Sequence, residues 1–135
     1  MNADDALILG VDPGLANTGW ALIDRHSQIV ACGTIRTRPG PIAPRLLRIV
    51  EELRAALAGA AVGEAALEEL FMGRNATSAV AVAQARGAVL ASLCAAGLPI
   101  HEYTPAQVKA VLTGYGAARK QQMMRMVASQ VRDGG

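Results

Sequence analysis

Leu7-Ile8-Leu9-Gly10-Val11-Asp12-Pro13-Gly14 is the stretch whose reading decides the fold. Residues Leu7 to Val11 are apolar without alternation, polar residues precede them and Pro13-Gly14 stops them, so they read as a short strand buried on both faces. In an open α/β sheet, ligands bind in the crevice beyond the C-terminal ends of the parallel strands. A carboxylate there, Asp12, is placed for chemistry. The same side chain is also suited to accept hydrogen bonds from the turn that follows, and this stretch alone weighs the two roles evenly.

Working outward, Thr18–Asp24 (TGWALID) and Gln28–Thr37 (QIVACGTIRT) are two further β-rich runs. The turn Arg25-His26-Ser27 joins them, which predicts an antiparallel meander of three strands with His26 as a solvated turn residue. Pro44 opens a predicted helix to Leu57, with Leu46, Val50, Leu53 and Leu57 on one face, and Gly59 ends it. A helix that returns the chain to the sheet makes the next strand, Ala65–Leu70 (AALEEL), parallel to the first. Strand alternation sends Glu68 to one face and Glu69 to the other. Glutamate is a poor strand residue, so this pair needs a reason: either the strand emerges into solvent there, or one carboxylate is functional.

A helix is predicted over Ala76–Ala96, ended by Gly97, with Ala76, Ala79, Ala83, Gly87 and Ala91 as small residues for close approach. It is apolar most of the way round apart from Gln84 and Arg86, the pattern of a helix deeply buried or shared with a partner subunit. Pro99–Tyr103 reads as a short strand whose His101 and Glu102 face solvent in preference to holding metal. Thr104-Pro105 caps a helix to Leu112. After the loop Thr113-Gly114-Tyr115-Gly116-Ala117, a last helix carries the core stripe Met123, Met126, Val127 and Val131. The order β-β-β-α-β-α-β-α-α places the first and fourth strands at the centre of a mixed sheet, with Asp12 next to Glu68 or Glu69.

At 135 residues the chain has the size of one domain. Aromatic content of 3% leaves a core of Val, Leu, Ile and Met. The charge is asymmetric: residues 1–72 carry 6 Lys/Arg against 9 Asp/Glu, and residues 73–135 carry 7 against 2, so the second half suits a polyanion. Cys32 and Cys94 form no CxxC pair, which argues against a zinc or redox motif. No signal peptide is visible, and Gln84 and Arg86 interrupt the most apolar segment, so a cytoplasmic protein with no membrane association is expected.

Two carboxylates held together call for a counter-charge. A divalent cation such as Mg²⁺, held by one or two carboxylates and substrate phosphate, supplies it. Beside a basic half, that chemistry is phosphodiester hydrolysis.

Four segments, ILGVDPGLANTGWALID (8–24), CGTIRT (32–37), LEELFMGRNATSAVAVAQARG (67–87) and EYTPAQVKAVLTGYGAARKQQM (102–123), resemble the RuvC family of crossover-junction endonucleases in order and spacing. The resemblance covers nearly the whole chain. It implies an α/β ribonuclease-H-like fold, a mixed five-stranded sheet flanked by helices, as one nuclease domain over residues 1–135. It also implies a homodimer, Mg²⁺-dependent (or Mn²⁺-dependent) paired nicking of four-way Holliday junctions in recombination and repair, and a branch-migration motor as partner. By resemblance Glu68, not Glu69, is the catalytic carboxylate, and Asp12 and Glu68 are metal ligands. Lys109 and Lys120 are implied to be catalytic cations that also touch DNA; Phe71 stacks on or wedges between bases, and Arg74, Tyr115 and Arg119 are further DNA contacts.

The family completes its metal site with an acidic pair, or a His and an Asp, on a C-terminal helix of the form D-A-A-D-A. The sequence ends Val131-Arg132-Asp133-Gly134-Gly135 without that motif, and Asp133 stands in another context. The expectation is a domain that lacks this helix and half its ligands. Competing readings are a junction-binding module that does not cut, a ribonuclease-H-like nuclease acting on RNA, and an actin-like nucleotide-binding enzyme. The last needs a second glycine-rich phosphate motif and a much longer chain.

Overall fold

The fold is seen in a computed structural model that describes residues 5–26, 28–69 and 76–103. Seven elements follow in order: β1 (Leu7–Asp12), β2 (Asn17–Ile23), β3 (Ile29–Arg36), α1 (Ile42–Leu57), β4 (Val62–Glu68), α2 (Ala76–Ala95) and β5 (Ile100–Tyr103). They form the expected mixed five-stranded sheet, in the order β3-β2-β1-β4-β5. The β1–β2 and β2–β3 pairs are antiparallel, while β4 lies parallel to β1 and to β5. The helix predicted after Pro105, the glycine loop and the methionine stripe lie outside the described residues.

Alternation along the strands divides the apolar side chains between two faces. Leu9, Val11, Leu22, Ile35, Ala65 and Leu67 project to one face, where Ile49 and Leu53 of α1 and Ala85, Val89 and Leu93 of α2 close over them. On the other face Ile8, Ile23 and Ala66 form a smaller buried cluster with Tyr103 packed against it. β1 is thus covered on both faces, as its unbroken apolar run requires.

Several boundaries differ from the sequence reading. α1 begins at Ile42, two residues before Pro44; a proline in the first turn is tolerated because the N–H it lacks has no partner inside a helix. β4 runs from Val62 to Glu68 and not from Ala65 to Leu70, because Leu7 pairs with Val62 and Ile8 with Glu64 across an irregularity in the ladder. Gly59 and Gly97 follow the two helices with φ of 79°, the left-handed conformation glycine adopts without penalty.

The small-residue stripe of α2 is buried only in part: Ala79 is buried and Ala83 half-buried. Gly87 and Ala91 are exposed, and the sheet is met by Ala79, Ala85, Arg86, Val89 and Leu93. The expectation that no segment is apolar enough to cross a membrane is also corrected. Ser78–Ala95 passes by length and composition, with a mean hydropathy of 1.4, since Gln84 and Arg86 do not outweigh its alanines and valines. Buried Ala85, Val89 and Leu93 give this apolar character a use within the fold.

Candidate active site

Asp12 is the last residue of β1 and Glu68 the last of β4. The parallel register sets Leu9 against Ala65 and Gly10 against Ala66, and two more steps bring Asp12 level with Glu68. Both side chains then leave on the face of Ile8 and Ala66, opposite the helices. Glu69, one residue on, is exposed, and its N–H donates to the Tyr103 carbonyl at 2.7 Å.

Both carboxyls are held above their ordinary values. Burial raises the Asp12 carboxyl above its ordinary value even though part of the side chain reaches solvent. Burial also raises Glu68, the negative charge of Asp12 raises it further, and the Arg86 guanidinium opposes both. Like charges that disfavour each other's ionised form are a demand for a cation.

The turn after Asp12 is held from within. Thr18, fully buried, donates its hydroxyl to the Gly14 carbonyl at 2.7 Å and accepts from the Gly14 N–H at 3.2 Å. A Cβ on Gly14 would stand 2.3 Å from the Asn17 carbonyl oxygen, so only glycine fits this turn. Thr37 extends the clamp: its N–H donates to Ala16 O at 3.0 Å and its hydroxyl to Leu15 O.

Arg86 holds the β4 side. Its side chain projects from α2, is 7% exposed, and donates to the Glu68 main-chain carbonyl and to the Glu102 carboxylate. The sequence showed Arg86 only as an exception on an apolar helix. The usable signal was physical: an arginine on a buried face must find anions or carbonyls. Glu102, expected to face solvent, therefore has a partner, because β5 alternation turns it with Leu67 towards α2. His101 Nε2 lies 3.4 Å from Glu64 Oε2, a pairing that accounts for it without a metal.

Asp12 and Glu68 are oxygen donors whose mutual repulsion a divalent cation would relieve, so this pair fits the one or two carboxylates that Mg²⁺ uses alongside water and phosphate. No group of three or more His, Cys, Asp or Glu side chains comes together among the described residues. Phe71, Arg74, Lys109, Tyr115, Arg119 and Lys120 lie outside the described residues.

Comparison with known proteins gives the family and the fold. The family model described as Crossover junction endodeoxyribonuclease RuvC matches residues 8–132. A protein of that name from Chloroflexus aurantiacus is 43% identical over 123 residues, covering 88% of this chain and 75% of the relative. One from Roseiflexus sp. is 43% identical over 128 residues, covering 92% and 76%. Among solved structures, T. thermophilus RuvC in complex with Holliday junction substrate superposes with a TM-score of 0.72 at 27% identity, covering 88% of this chain and 78% of that one. The Thermus thermophilus RuvC structure gives a TM-score of 0.71 at 30% identity, covering 90% and 79%.

Proposed function

The chain belongs to the RuvC family of crossover junction endodeoxyribonucleases, and we propose that its chemistry is the paired nicking of four-way DNA junctions by a divalent cation held between Asp12 and Glu68. Holliday junction resolution is the function the family and its junction-bound structural neighbour support. The observation that carries the site is the placing of two carboxylates at the ends of adjacent parallel strands, where burial raises both and the charge of Asp12 raises Glu68 further.

Asp12 and Glu68 would hold a Mg²⁺ ion, which would supply Lewis-acid stabilisation of the oxygens that gain charge as a phosphodiester is hydrolysed. Asp12 and Glu68 bind and orient it; Mn²⁺ suits the same oxygen donors. The Thr18–Gly14 clamp fixes the turn leaving Asp12, and Arg86 fixes the strand end that carries Glu68. Lys109 and Lys120 neutralise charge around the reacting phosphate, Phe71 stacks on exposed bases, and Arg74, Tyr115 and Arg119 hold the backbone. Cutting two strands symmetrically needs two such sites, hence a homodimer. The exposed side of α2, with Val80 56% exposed beside Gly87 and Ala91, supports this by offering an apolar surface for a second copy. A cytoplasmic location and delivery of junctions by a branch-migration motor complete the reading.

The test is cleavage of a synthetic four-way junction, a linear duplex of the same sequence and an RNA–DNA hybrid, with Mg²⁺ or with chelator. Symmetric nicks in the junction alone, dependent on the metal, are expected. Equal cutting of the hybrid or the duplex would sink the assignment.

A further inference from the structure

The sheet end that carries Asp12 also carries a groove of about 650 Å³, lined by Asn17, Arg36, Thr37, Arg38 and Arg48 among others and by no carboxylate. The register ties it to the candidate site. Asp12 pairs with Gly19 on β2, and Asn17, two residues along, pairs with Arg36 at the end of β3. Two residues return to the same face, so Arg36 leaves the sheet on the side of Asp12, roughly 7 Å further along the strand direction.

The floor is rigid and the rim is cationic. Thr37, buried, donates its hydroxyl to Leu15 O and accepts from Arg45 Nε at 2.9 Å. Arg36 and Arg38 are exposed and have no ion pair among the described residues. Among the described residues Arg48 meets only Glu52, one turn along α1, in an exposed pair at 3.4 Å, an interaction of little strength that an incoming anion can replace. Three guanidinium groups drawn from a strand end, a loop and a helix, two of them without an ion pair among the described residues and the third in an exposed one, suit an extended anion whose charges repeat. Their planar donor forks match phosphate oxygens.

We propose that the Arg36–Arg38–Arg48 groove seats the phosphodiester backbone of the DNA arm that leads away from the cut site at Asp12. This rests on the resolvase reading for the nature of the DNA, and adds a binding region at the β3 edge of the sheet.

The test uses the purified full-length protein and a fluorescent four-way junction, measuring affinity across a salt series. Removing one arginine–phosphate interaction lowers the slope of log affinity against log salt by about 0.9. An Arg36→Ala/Arg38→Ala variant, which leaves the Arg48–Glu52 pair in place, should show a slope smaller by about 2. An Arg25→Ala/Arg54→Ala variant removes the same charge away from the groove and should keep the wild-type slope. Matching thermal melts establish that both are folded, since all four side chains are exposed. An unchanged slope in the groove variant, or an equal fall in both, overturns the proposal. Wild-type protein that binds the junction yet cuts it no better than duplex would overturn the resolvase reading instead, and the slope comparison would still decide the groove.

Discussion

The guanidinium of Arg86 reaches from α2 to the main-chain carbonyl of Glu68 and at the same time to the carboxylate of Glu102 on β5. One buried side chain thus ties the helix layer to the ends of two neighbouring strands, at the residue that carries a candidate metal ligand. Hydrogen bonds to a charged group contribute about 1.5–3 kcal/mol each. Arg86→Met should therefore destabilise the fold by about 2–4 kcal/mol, read as a lower midpoint in urea unfolding. Glu102→Gln should cost less, because Glu102 is partly exposed and leaves the Glu68 interaction intact. Equal destabilisation in the two variants would show that the ion pair, and not the bond to the carbonyl, is what Arg86 supplies.

Asp12→Asn and Glu68→Gln each remove a charge and keep nearly the same shape. Removing residues that only orient metal ligands already costs 10–100-fold, so either change should lower metal-dependent junction cutting by more than about a hundredfold. Junction binding, measured by gel shift in chelator, should persist in both. Cutting retained by either variant removes that residue from the site.

The same pair governs how the metal-free protein responds to pH. Asp12 and Glu68 both titrate above their ordinary values in the folded state, so the folded protein holds these protons more tightly than the unfolded chain. Their contribution to stability is fully present at pH below the ordinary carboxylate range and is lost as pH rises through the raised values. At pH 7 in chelator, an Asp12→Asn/Glu68→Gln variant should melt above wild type, and its advantage should disappear on acidification to about pH 3. Added Mg²⁺ should raise the melting temperature of wild type only. A variant that melts below wild type at pH 7 would contradict the repulsion.

How much of this was legible in the sequence depends on how local each cause is. β1 and its terminal Asp12 were readable because an unbroken apolar run ended by Pro-Gly admits few other structures. The sheet order followed from short connections and the crossover rule. Glu68 and Glu69 stayed indistinguishable on physics, since alternation places one on each face and only the neighbouring strand decides which meets Asp12; family resemblance made the choice. Arg86 and the packed side of α2 were hidden for the same reason. A helix apolar all round has little periodic signal, so the sequence left α2 either deeply buried or shared with a partner, and the side that meets the sheet, Ala85, Arg86, Val89 and Leu93, emerges only from the fold. The start of β4 was missed because Gly63 and Glu64 are poor strand residues whose place is set by pairing with β1.

The turn after Asp12 offers a test that leaves both carboxylates untouched. Thr18 is fully buried and its hydroxyl serves both the N–H and the carbonyl of Gly14, so Thr18→Val strands two backbone groups at a cost of about 1–3 kcal/mol. Thr18→Ser keeps the hydroxyl and should lose only the buried methyl, about 1 kcal/mol. Gly14→Ala acts differently, because its methyl group would press on the Asn17 carbonyl and force the backbone between Pro13 and Asn17 to shift. If that backbone positions Asp12, Gly14→Ala should lower junction cutting well beyond what its loss of stability explains, and raise the Mg²⁺ concentration needed for half-maximal cutting. Thr18→Ser should cut at the wild-type Mg²⁺ requirement. A Gly14→Ala protein with unaltered metal requirement would mean that β1 alone holds Asp12 and that the clamp serves only the fold.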